Sequence, residues 1–357
     1  MEERFICKNI VPGLKAFNTK WQAPSNIALI KYWGKTPVQL PRNPSLSFTL
    51  SGSTTQTDVT FTLLQKPTLY VSFSILFEGK EMPDFRPKIQ VFFERVLPYQ
   101  PYLNHYDIVI NSSNSFPHSS GIASSASSMA ALSACLMDFE SHLKPINETI
   151  KLQKTSFLSR LGSGSACRSI NGPLMAWGKH SKLSSSSNLI AVPLNEVHSV
   201  FQSYCDTILI IDKGQKKVSS SLGHKLMHNH PYAENRFLRA DSHFTKLLLT
   251  LKDGDLDSFI SVVEKEALDL HAMMMTSNPY FILIQPKTLS VIHAIWKFRA
   301  ESKIPLCFTL DAGANVHVLY PFSESKNVKN FIKNELLKFC EDKQCICDHV
   351  GTGIKKC

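Results

Sequence analysis

The chain alternates between short apolar runs and longer stretches in which apolar and polar residues recur at helical spacing. The apolar run at residues 27–30 predicts a buried strand. Residues 46–50 and 57–63 predict two further strands, joined through residues 51–53. The remaining strands are predicted at residues 71–77, 106–111, 207–211, 305–310 and 316–320.

Helices are indicated wherever apolar residues recur every three or four positions. Residues 86–97 and 255–275 show this spacing. Further helices are predicted from Met129 onward, over residues 328–336, and from Pro286 with Leu289, Ile292 and Trp296 facing inward. Strands and helices do not alternate regularly as they do in βαβ units. We therefore predict an α+β protein rather than a doubly wound sheet.

The length and charge of the chain limit the number of domains and the kinds of partner that we expect. A chain of 357 residues exceeds the size at which single cores usually split, so we expect two domains. Lys and Arg number 39 against 29 Asp and Glu, a net charge of +10. This surplus favours an anionic partner: nucleic acid, an anionic membrane or an anionic small molecule. The basic residues are dispersed rather than clustered with aromatic residues, which argues against nucleic acid.

Membrane and secreted classes are disfavoured. No apolar run approaches the roughly 18 residues of a membrane-spanning helix, so no membrane partner is expected. The first eight residues lack the apolar core of a secretory signal. The nine cysteines are odd in number and scattered, which is typical of reduced thiols in the cytoplasm.

A cysteine cluster near the C-terminus contains Cys340, Cys345, Cys347 and His349, with Cys357 at the end. A zinc ribbon would require paired C-x-x-C spacing, which this cluster lacks. We therefore favour small packing residues over a metal site.

A serine-rich stretch offers the first candidate site. Residues 112–128 contain nine serines and Gly121, and they lead directly into the helix predicted from Met129. Backbone N–H groups and the dipole at a helix N-terminus bind phosphate, and serine hydroxyls add donors. The alternative is a flexible linker, although Phe116, Pro117 and the apolar helix argue against it. Neither a P-loop nor a dinucleotide fingerprint is present.

Charged residues next to small-residue loops offer three more candidates. Lys31 and Lys35 lie four residues apart, Arg168 follows a Gly-Ser-Gly-Ser loop, and Asp311 follows an apolar strand. Arginine suits bidentate binding of carboxylate or phosphate, and a carboxylate can orient or deprotonate a hydroxyl. Taken singly, these residues also fit a solvated basic edge, a surface arginine and a turn-initiating aspartate.

Four segments in the same order carry a family resemblance: residues 23–35, 116–126, 162–169 and 311–315. They resemble the motifs of mevalonate diphosphate decarboxylases, which belong to the GHMP kinase superfamily, and the first and third segments are the most diagnostic. The resemblance implies an N-terminal ribosomal-S5-like domain over residues 1–195. It also implies a C-terminal ferredoxin-like domain over residues 196–357, with the active site in the cleft between the domains.

The resemblance also implies a reaction: ATP-dependent decarboxylation of (R)-5-diphosphomevalonate to isopentenyl diphosphate, with release of ADP, phosphate and carbon dioxide. ATP and Mg²⁺ would be required, and the enzyme would be a cytoplasmic homodimer. Relatives that decarboxylate mevalonate monophosphate, or that only phosphorylate mevalonate at the 3-position, share the fold and form the alternatives.

Roles for individual residues follow from the same resemblance. Asp311 would orient or deprotonate the 3-hydroxyl, Lys31 would stabilise the transferring phosphoryl group, and Arg168 would hold the substrate carboxylate. The implied substrate-binding residues are Asn26, Tyr32, Lys35, Ser163 and Ser165. The implied ATP-binding residues are Pro117, Ser119, Ser120, Gly121, Ser124 and Ser125. Lys216, Lys217 and residues 219–221 resemble a phosphate-proximal segment of the second domain.

The chain departs from the family pattern at His118, Ser128 and Ala314, and at Arg42 and Pro44 after the first motif. None of these positions carries a proposed catalytic side chain. The choice between a diphosphate and a monophosphate substrate stays open at this stage, as do the metal ligands.

Overall fold

The computed structural model describes residues 2–117, 122, 124–214 and 220–357, with the backbone alone at 220 and 221. The strands are β1 (Ala16–Ile30), β2 (Lys35–Thr36), β3 (Leu40–Pro41), β4 (Ser45–Leu63), β5 (Ser72–Phe77), β6 (Lys80–Glu81), β7 (Tyr106–Asn114), β8 (Leu174–Trp177), β9 (Val192–Pro193), β10 (Cys205–Leu209), β11 (Cys307–Thr309), β12 (Val316–Tyr320), β13 (Cys345–His349) and β14 (Lys355–Lys356). The helices are α1 (Arg86–Val96), α2 (Ser124–Leu143), α3 (Glu148–Gly162), α4 (Ser220–Leu226), α5 (Ala233–Asp253), α6 (Leu256–Met275), α7 (Pro286–Ser302) and α8 (Ser325–Phe331).

The larger sheet has the strand order β14-β1-β4-β7-β5-β6, and β8 and β9 extend it from the first part of β4. Within the described chain, β5 and β7 form its one parallel pair. Helices α1, α2 and α3 pack against this sheet, and the Phe61 and Phe139 rings stack at 4.0 Å in the core between them. The apolar side of the predicted first helix, Ile89, Phe92, Phe93 and Val96, is buried as its spacing indicates.

The prediction of two strands joined through residues 51–53 is wrong, because β4 runs through this segment without a break. The Asp348 carboxylate accepts hydrogen bonds from the backbone N–H groups of Ser51, Gly52 and Ser53 at 3.0, 2.7 and 2.7 Å. The pairing with β1 shifts at this same place, between Pro24 and Asn26. Asp348, which lies near the end of the sequence, therefore supplies the hydrogen-bond acceptors that β1 does not supply to residues 51–53.

The smaller sheet has the strand order β11-β12-β10-β13 and is antiparallel throughout. Helices α5, α6 and α7 pack with it. The inward face predicted for α7 is wrong in part: Leu289 and Trp296 are 47% and 37% exposed. Val291 and Ile295 are buried beside Ile292 instead, because these three also satisfy helical spacing and pack in the core with Phe308 of β11.

Three of the described helices were not predicted from the sequence: the short α4 and two longer helices. The first of the longer helices is α3, which Asn147 caps by accepting a hydrogen bond from the Thr149 N–H group at 2.9 Å. The second is α5, whose buried face has regular helical spacing through Phe237, Ala240, Phe244, Leu247 and Leu251. This periodicity is visible in the sequence and would have revealed the helix.

The end of the chain returns to the larger sheet, where Lys355 and Lys356 pair with Gln22 and Trp21 of β1. All nine cysteines lie among the described residues and carry free thiols. Cys340 is buried and Cys345 packs partly against the same core, whereas Cys347 is exposed. Among the described helices, none combines the length and apolarity that crossing a bilayer requires.

Candidate active site

A cavity of about 850 Å³ is lined by residues from both halves of the chain, and its size is typical of ligand pockets. It gathers most of the sequence-predicted site residues: Asn26, Lys31, Tyr32, Lys35, Ser124, Ser125, Ser163, Ser165, Arg168 and Asp311. Pro117 is exposed and does not line the cavity. The predicted residues that lie outside the described part of the chain are Ser119, Ser120, Gly121, Lys216, Lys217 and Ser219.

A buried ion pair joins the two halves of the chain across the cavity. Lys31 follows the last residue of β1, and Asp311 lies in the loop between β11 and β12. The Lys31 Nζ atom lies 3.1 Å from Asp311 Oδ1, and the two side chains are 2% and 25% exposed. Burial lowers the pKa of Lys31 overall, and the charges of Asp311 and Glu266 offset only part of this effect. The pair thus places an ammonium group directly beside a carboxylate that lines the cavity.

The main chain of Lys31 is held on both sides. Its N–H group donates to Glu266 Oε2 at 2.9 Å, and its carbonyl accepts from Asn43 Nδ2 at 3.0 Å. Glu266 is fully buried and also accepts from Arg236 Nη2 at 2.7 Å, with His243 Nδ1 2.6 Å from Oε1. Burial alone would raise the pKa of Glu266, but Arg236 and His243 lower it overall. An ionised carboxylate therefore positions Lys31.

Glu266 and its partners were missed by the sequence analysis, although one signal was available. Glu266 is a charged residue on the buried face of a predicted helix, between Val263 and Leu270. His243, Glu266 and Asp269 also bring possible metal-ligand atoms within 4.8 Å of one another. The carboxylates of this group pair with Arg236 and Arg239, as expected for an ion-pair network rather than a metal site.

The loop that carries Asp311 is fixed by buried hydrogen bonds. The Asp311 carbonyl accepts from the Gly313 N–H group at 2.7 Å and lies 3.1 Å from His271 Nε2. Burial lowers the pKa of His271 to about 4, so its imidazole is neutral. Asn315 Oδ1 accepts from two backbone N–H groups of residues 211 and 212. The position of the carboxylate is therefore set before any ligand binds.

Arg168 is a buried guanidinium surrounded by neutral oxygens. Its Nε donates to Ser47 Oγ at 3.1 Å, one Nη donates to Ser45 Oγ, and the other donates to Asn26 Oδ1 at 3.3 Å. Arg168 is 2% exposed, and no carboxylate of the described residues lies within 4.0 Å of it. A buried cation without a counter-ion is costly, so the cavity favours an anionic ligand here. Guanidinium geometry suits a carboxylate.

The loop that precedes Arg168 is tied to two other parts of the cavity. Asn26 Nδ2 donates to Ser169 Oγ at 2.8 Å and to the Ser165 carbonyl at 3.2 Å. The hydroxyl oxygens of Ser163 and Ser125 lie 3.3 Å apart. A Cβ atom on Gly164 would lie 2.7 Å from Tyr32 Oη, so a larger residue at this position would displace the Tyr32 ring.

Four cations, Lys35, Lys88, Arg95 and Lys225, line another part of the cavity and are called the basic cluster below. No carboxylate in the described chain lies within 4.0 Å of any of them. Burial, Arg95 and Lys225 lower the pKa of Lys35. Partial desolvation inside the cavity and the charge of Lys35 lower the pKa of Lys88. Mutual repulsion of this kind is relieved when an anion binds.

Lys35 alone of this cluster was predicted. Lys88 and Arg95 lie on α1, seven residues and thus about two turns apart on the same face. The prediction of α1 rests on the apolar side of this helix alone. The shared spacing of the two cations was a signal that could have identified them.

Comparison with known proteins identifies the family. The family model "Diphosphomevalonate decarboxylase-like N-terminal domain" matches residues 23–189, and "Mevalonate 5-diphosphate decarboxylase C-terminal domain" matches residues 207–353. The diphosphomevalonate decarboxylase of Saccharomyces cerevisiae is 30% identical over 324 residues, which cover 85% of this chain and 78% of the yeast protein. The chain belongs to the diphosphomevalonate decarboxylase family. The predicted resemblance is therefore confirmed.

Solved structures of diphosphomevalonate decarboxylases have the same fold. The complex of MDDEF with MVAPP, AMPPCP and magnesium has a TM-score of 0.81 and 28% identity, covering 96% of this chain and 99% of that one. The mevalonate diphosphate decarboxylase from Enterococcus faecalis has a TM-score of 0.80 and 27% identity, with the same coverage. These matches confirm the α+β class and the GHMP kinase fold.

Of the described departures from the decarboxylase motifs, Ser128 lines the cavity, and Ala314 and Arg42 make contacts outside its lining. Ser128 Oγ donates to the Ser124 carbonyl at 2.7 Å, one turn earlier in α2. The Ala314 carbonyl accepts from Thr288 Oγ1 at 2.7 Å. Arg42 pairs with Glu234 at 2.7 Å and covers the Phe237 ring. His118 lies outside the described residues.

Proposed function

We propose that this protein catalyses the ATP-dependent decarboxylation of (R)-5-diphosphomevalonate to isopentenyl diphosphate, releasing ADP, phosphate and carbon dioxide. The observation that carries the proposal is the placement of Lys31, Asp311 and Arg168 around one cavity. A kinase needs a group that orients a hydroxyl, but it does not need a buried guanidinium aimed at a carboxylate. The related MDDEF binds MVAPP together with AMPPCP, an ATP analogue.

In the first step, the 3-hydroxyl oxygen attacks the γ-phosphorus of ATP, and the bond from that phosphorus to the ADP oxygen breaks. The Asp311 carboxylate accepts the hydroxyl proton or orients it. The Lys31 ammonium, 3.1 Å from that carboxylate, stabilises the charge on the transferring phosphoryl group. Fixed positions of both groups reduce the reorganisation that the transition state requires.

In the second step, phosphate leaves C3 with the electron pair of the C–O bond. The bond between C2 and the carboxylate carbon then supplies its electrons to the new double bond, and carbon dioxide departs. Arg168 would hold the carboxylate through its free donor capacity, with Asn26, Ser45 and Ser47 fixing its plane.

The diphosphate would bind at the basic cluster. Lys35, Lys88, Arg95 and Lys225 provide more positive charge than a monophosphate would neutralise, which favours the diphosphate substrate. Tyr32, Ser163 and Ser165 would complete the substrate site. The ATP phosphates would lie along the serine-rich loop, at the residues implied by the family motif: Pro117, Ser119, Ser120, Gly121, Ser124 and Ser125.

Magnesium fits the donors of this cavity as an ion carried by ATP. Asp84 and Asp311 are the carboxylates among the described lining residues, and Ser124 and Ser125 add hydroxyls. Mg²⁺ keeps several waters and binds through one or two carboxylates plus substrate phosphates, so few protein ligands suffice. When bound, the ion would neutralise charge on the ATP phosphate oxygens.

We also propose two domains, over residues 1–195 and 196–357, and a cytoplasmic homodimer. The larger sheet takes its strands from residues 16–193 and 355–356, and the smaller sheet from residues 205–349. The nine free thiols fit a reducing compartment. Light scattering on the purified protein measures the oligomeric state, and a monomeric mass at micromolar concentration would refute the dimer.

The test of function is a coupled assay of ADP and carbon dioxide with purified protein, ATP and Mg²⁺. Mevalonate 5-diphosphate, mevalonate 5-phosphate and mevalonate serve as separate substrates. We expect equal amounts of ADP and carbon dioxide from the diphosphate. ADP without carbon dioxide would instead identify a 3-kinase, and turnover of the monophosphate alone would identify a phosphomevalonate decarboxylase.

A further inference from the structure

His224 lines the cavity and has no role in the reaction described above. It lies on α4, beside Lys225 of the basic cluster. Its ring packs between two aromatic residues of the first motif, with centroid distances of 4.4 Å to Tyr32 and 4.8 Å to Trp33. His224 is therefore part of the wall that a ligand at the basic cluster would touch.

The position of the imidazole is fixed by two contacts. Its Nδ1 atom accepts a hydrogen bond from the Gly34 N–H group at 3.0 Å. A Cβ atom on residue 223 would lie 2.3 Å from the Trp33 ring, so Gly223 lets α4 approach this ring closely. The His224 residue as a whole is buried, with 9% of its surface exposed.

The hydrogen bond from Gly34 also fixes the tautomer. Because Nδ1 is the acceptor, the proton of a neutral imidazole must be on Nε2, which makes Nε2 a donor. Burial and the charge of Lys35 lower the pKa of His224 to about 3, so the ring is neutral at physiological pH. Within the described residues, Nε2 has no hydrogen-bond acceptor. The donor is thus available to a ligand in the cavity.

We propose that the Nε2–H group of His224 donates a hydrogen bond to a diphosphate oxygen of the bound substrate. This rests on the proposed function, in which the substrate diphosphate lies at the basic cluster. A neutral donor adds direction without adding repulsion to the cations already there. The lysines attract the diphosphate, and His224 selects one orientation of it.

Two substitutions distinguish the role of Nε2 from that of Nδ1. In His224→Gln, the amide nitrogen reaches the place of Nε2. In His224→Asn, the shorter side chain reaches only the place of Nδ1 and can still accept from Gly34. We expect His224→Asn to raise KM for mevalonate 5-diphosphate by about tenfold, the scale of a hydrogen bond to a charged group. We expect His224→Gln to recover most of that loss.

The matched control is His228→Asn, at an exposed histidine just beyond α4. KM for ATP and kcat should change less than twofold in all three variants, because the proposed contact is with the diphosphate. An unchanged KM in His224→Asn, equal losses in both His224 variants, or a parallel rise in KM for ATP would overturn the proposal. Turnover of the diphosphate by the unmodified enzyme, measured in the same assay, tests the proposed function separately.

A second measurement does not depend on the variants folding well. In protein labelled with ¹⁵N histidine, inorganic pyrophosphate is titrated and the His224 Nε2–H signal is followed. We expect this proton to move downfield on binding while Nδ1 keeps the shift of an unprotonated acceptor. A bound pyrophosphate that leaves the Nε2–H signal unmoved would contradict the proposal.

Discussion

The two ends of the cavity hold their charged groups in different ways. Around the proposed reacting atoms, Lys31 and Asp311 contact each other at 3.1 Å, and Arg168 donates to three neutral oxygens. At the basic cluster, four cations lie together, and no described carboxylate lies within 4.0 Å of them. Both ends have directional contacts, since Lys35 donates to Gln39 Oε1 at 2.8 Å and Arg95 donates to the Leu161 carbonyl at 2.7 Å, but the second end lacks its counter-charge until an anion binds.

This difference matches the two tasks of the proposed reaction. Groups that act on developing charge must already be in place, because reorganisation during the reaction would raise the barrier. Groups that attract a diphosphate can be more loosely held, since charge attraction depends less on angle than a hydrogen bond does. We therefore expect changes at the first end to lower kcat and changes at the second to raise KM.

Asp311→Asn should have the largest effect. The amide keeps the shape of the side chain but cannot accept the hydroxyl proton, so we expect carbon dioxide release to fall by about 10³-fold. Circular dichroism should be unchanged, because the loop is fixed by backbone contacts at residues 311 and 313. An active Asp311→Asn variant would remove this residue from the mechanism.

Arg168→Lys should have the second largest effect, a loss of about 10²-fold in carbon dioxide release. Lysine keeps the charge but cannot donate to Asn26, Ser45 and Ser47 while also holding a carboxylate in one plane. ADP formation should fall less than carbon dioxide formation. If both products fell equally, Arg168 would act before decarboxylation and the proposed carboxylate contact would be wrong.

Glu266→Gln tests whether Glu266 positions Lys31 at the first end of the cavity. The amide oxygen can still accept from the Lys31 N–H group, but Arg236 loses its buried counter-ion, which destabilises proteins by about 3–5 kcal/mol. We expect a lower melting temperature and a kcat reduced by about tenfold. The control is Glu264→Gln, whose partner Arg299 lies away from Lys31. A kcat equal to that of the control would show that Glu266 has no positioning role.

Lys88→Gln tests the second end. Removing one of four clustered cations should raise KM for mevalonate 5-diphosphate about tenfold, with kcat within twofold. Lys326→Gln on α8 is the control for the loss of an exposed positive charge elsewhere. A fall in kcat with unchanged KM would contradict the division between the two ends.

The smallest effect concerns pH. The pKa values of Lys35 and Lys88 are lowered, so both ammonium groups lose their protons at a lower pH than free lysine does. The protonated form binds the diphosphate, so KM should rise by a few fold as the pH increases toward the ordinary lysine pKa of 10.5. Lys88→Arg keeps its charge and should flatten this rise. An equally steep rise in that variant would exclude Lys88 as a contributor.

Local sequence patterns predicted those parts of the fold that depend on neighbouring residues. The apolar face of α1 and strand β12 follow from spacing alone. The continuity of β4 does not, because it depends on Asp348, which is separated from Ser51 by 297 residues. The assignment of α7 failed for a related reason: two apolar stripes share the helix, and packing against β11 selects one of them.

The candidate site shows the same division. The motifs identified Lys31, Arg168 and Asp311 because each lies in a recognisable loop. Glu266 and Lys88 lie on helices far away in sequence, and only the folded chain brings them to the cavity. Their roles follow from burial and from neighbours, neither of which a local pattern contains.

The most direct test measures affinity and turnover on the same preparations of Asp311→Asn and Lys88→Gln. Calorimetry gives the affinity for mevalonate 5-diphosphate, and carbon dioxide release at saturating substrate gives the turnover. We expect Asp311→Asn to bind within about threefold of the unmodified enzyme and to lose turnover, and Lys88→Gln to bind about tenfold more weakly and to keep its turnover. Loss of affinity and turnover together in both variants would contradict the separation of the two ends.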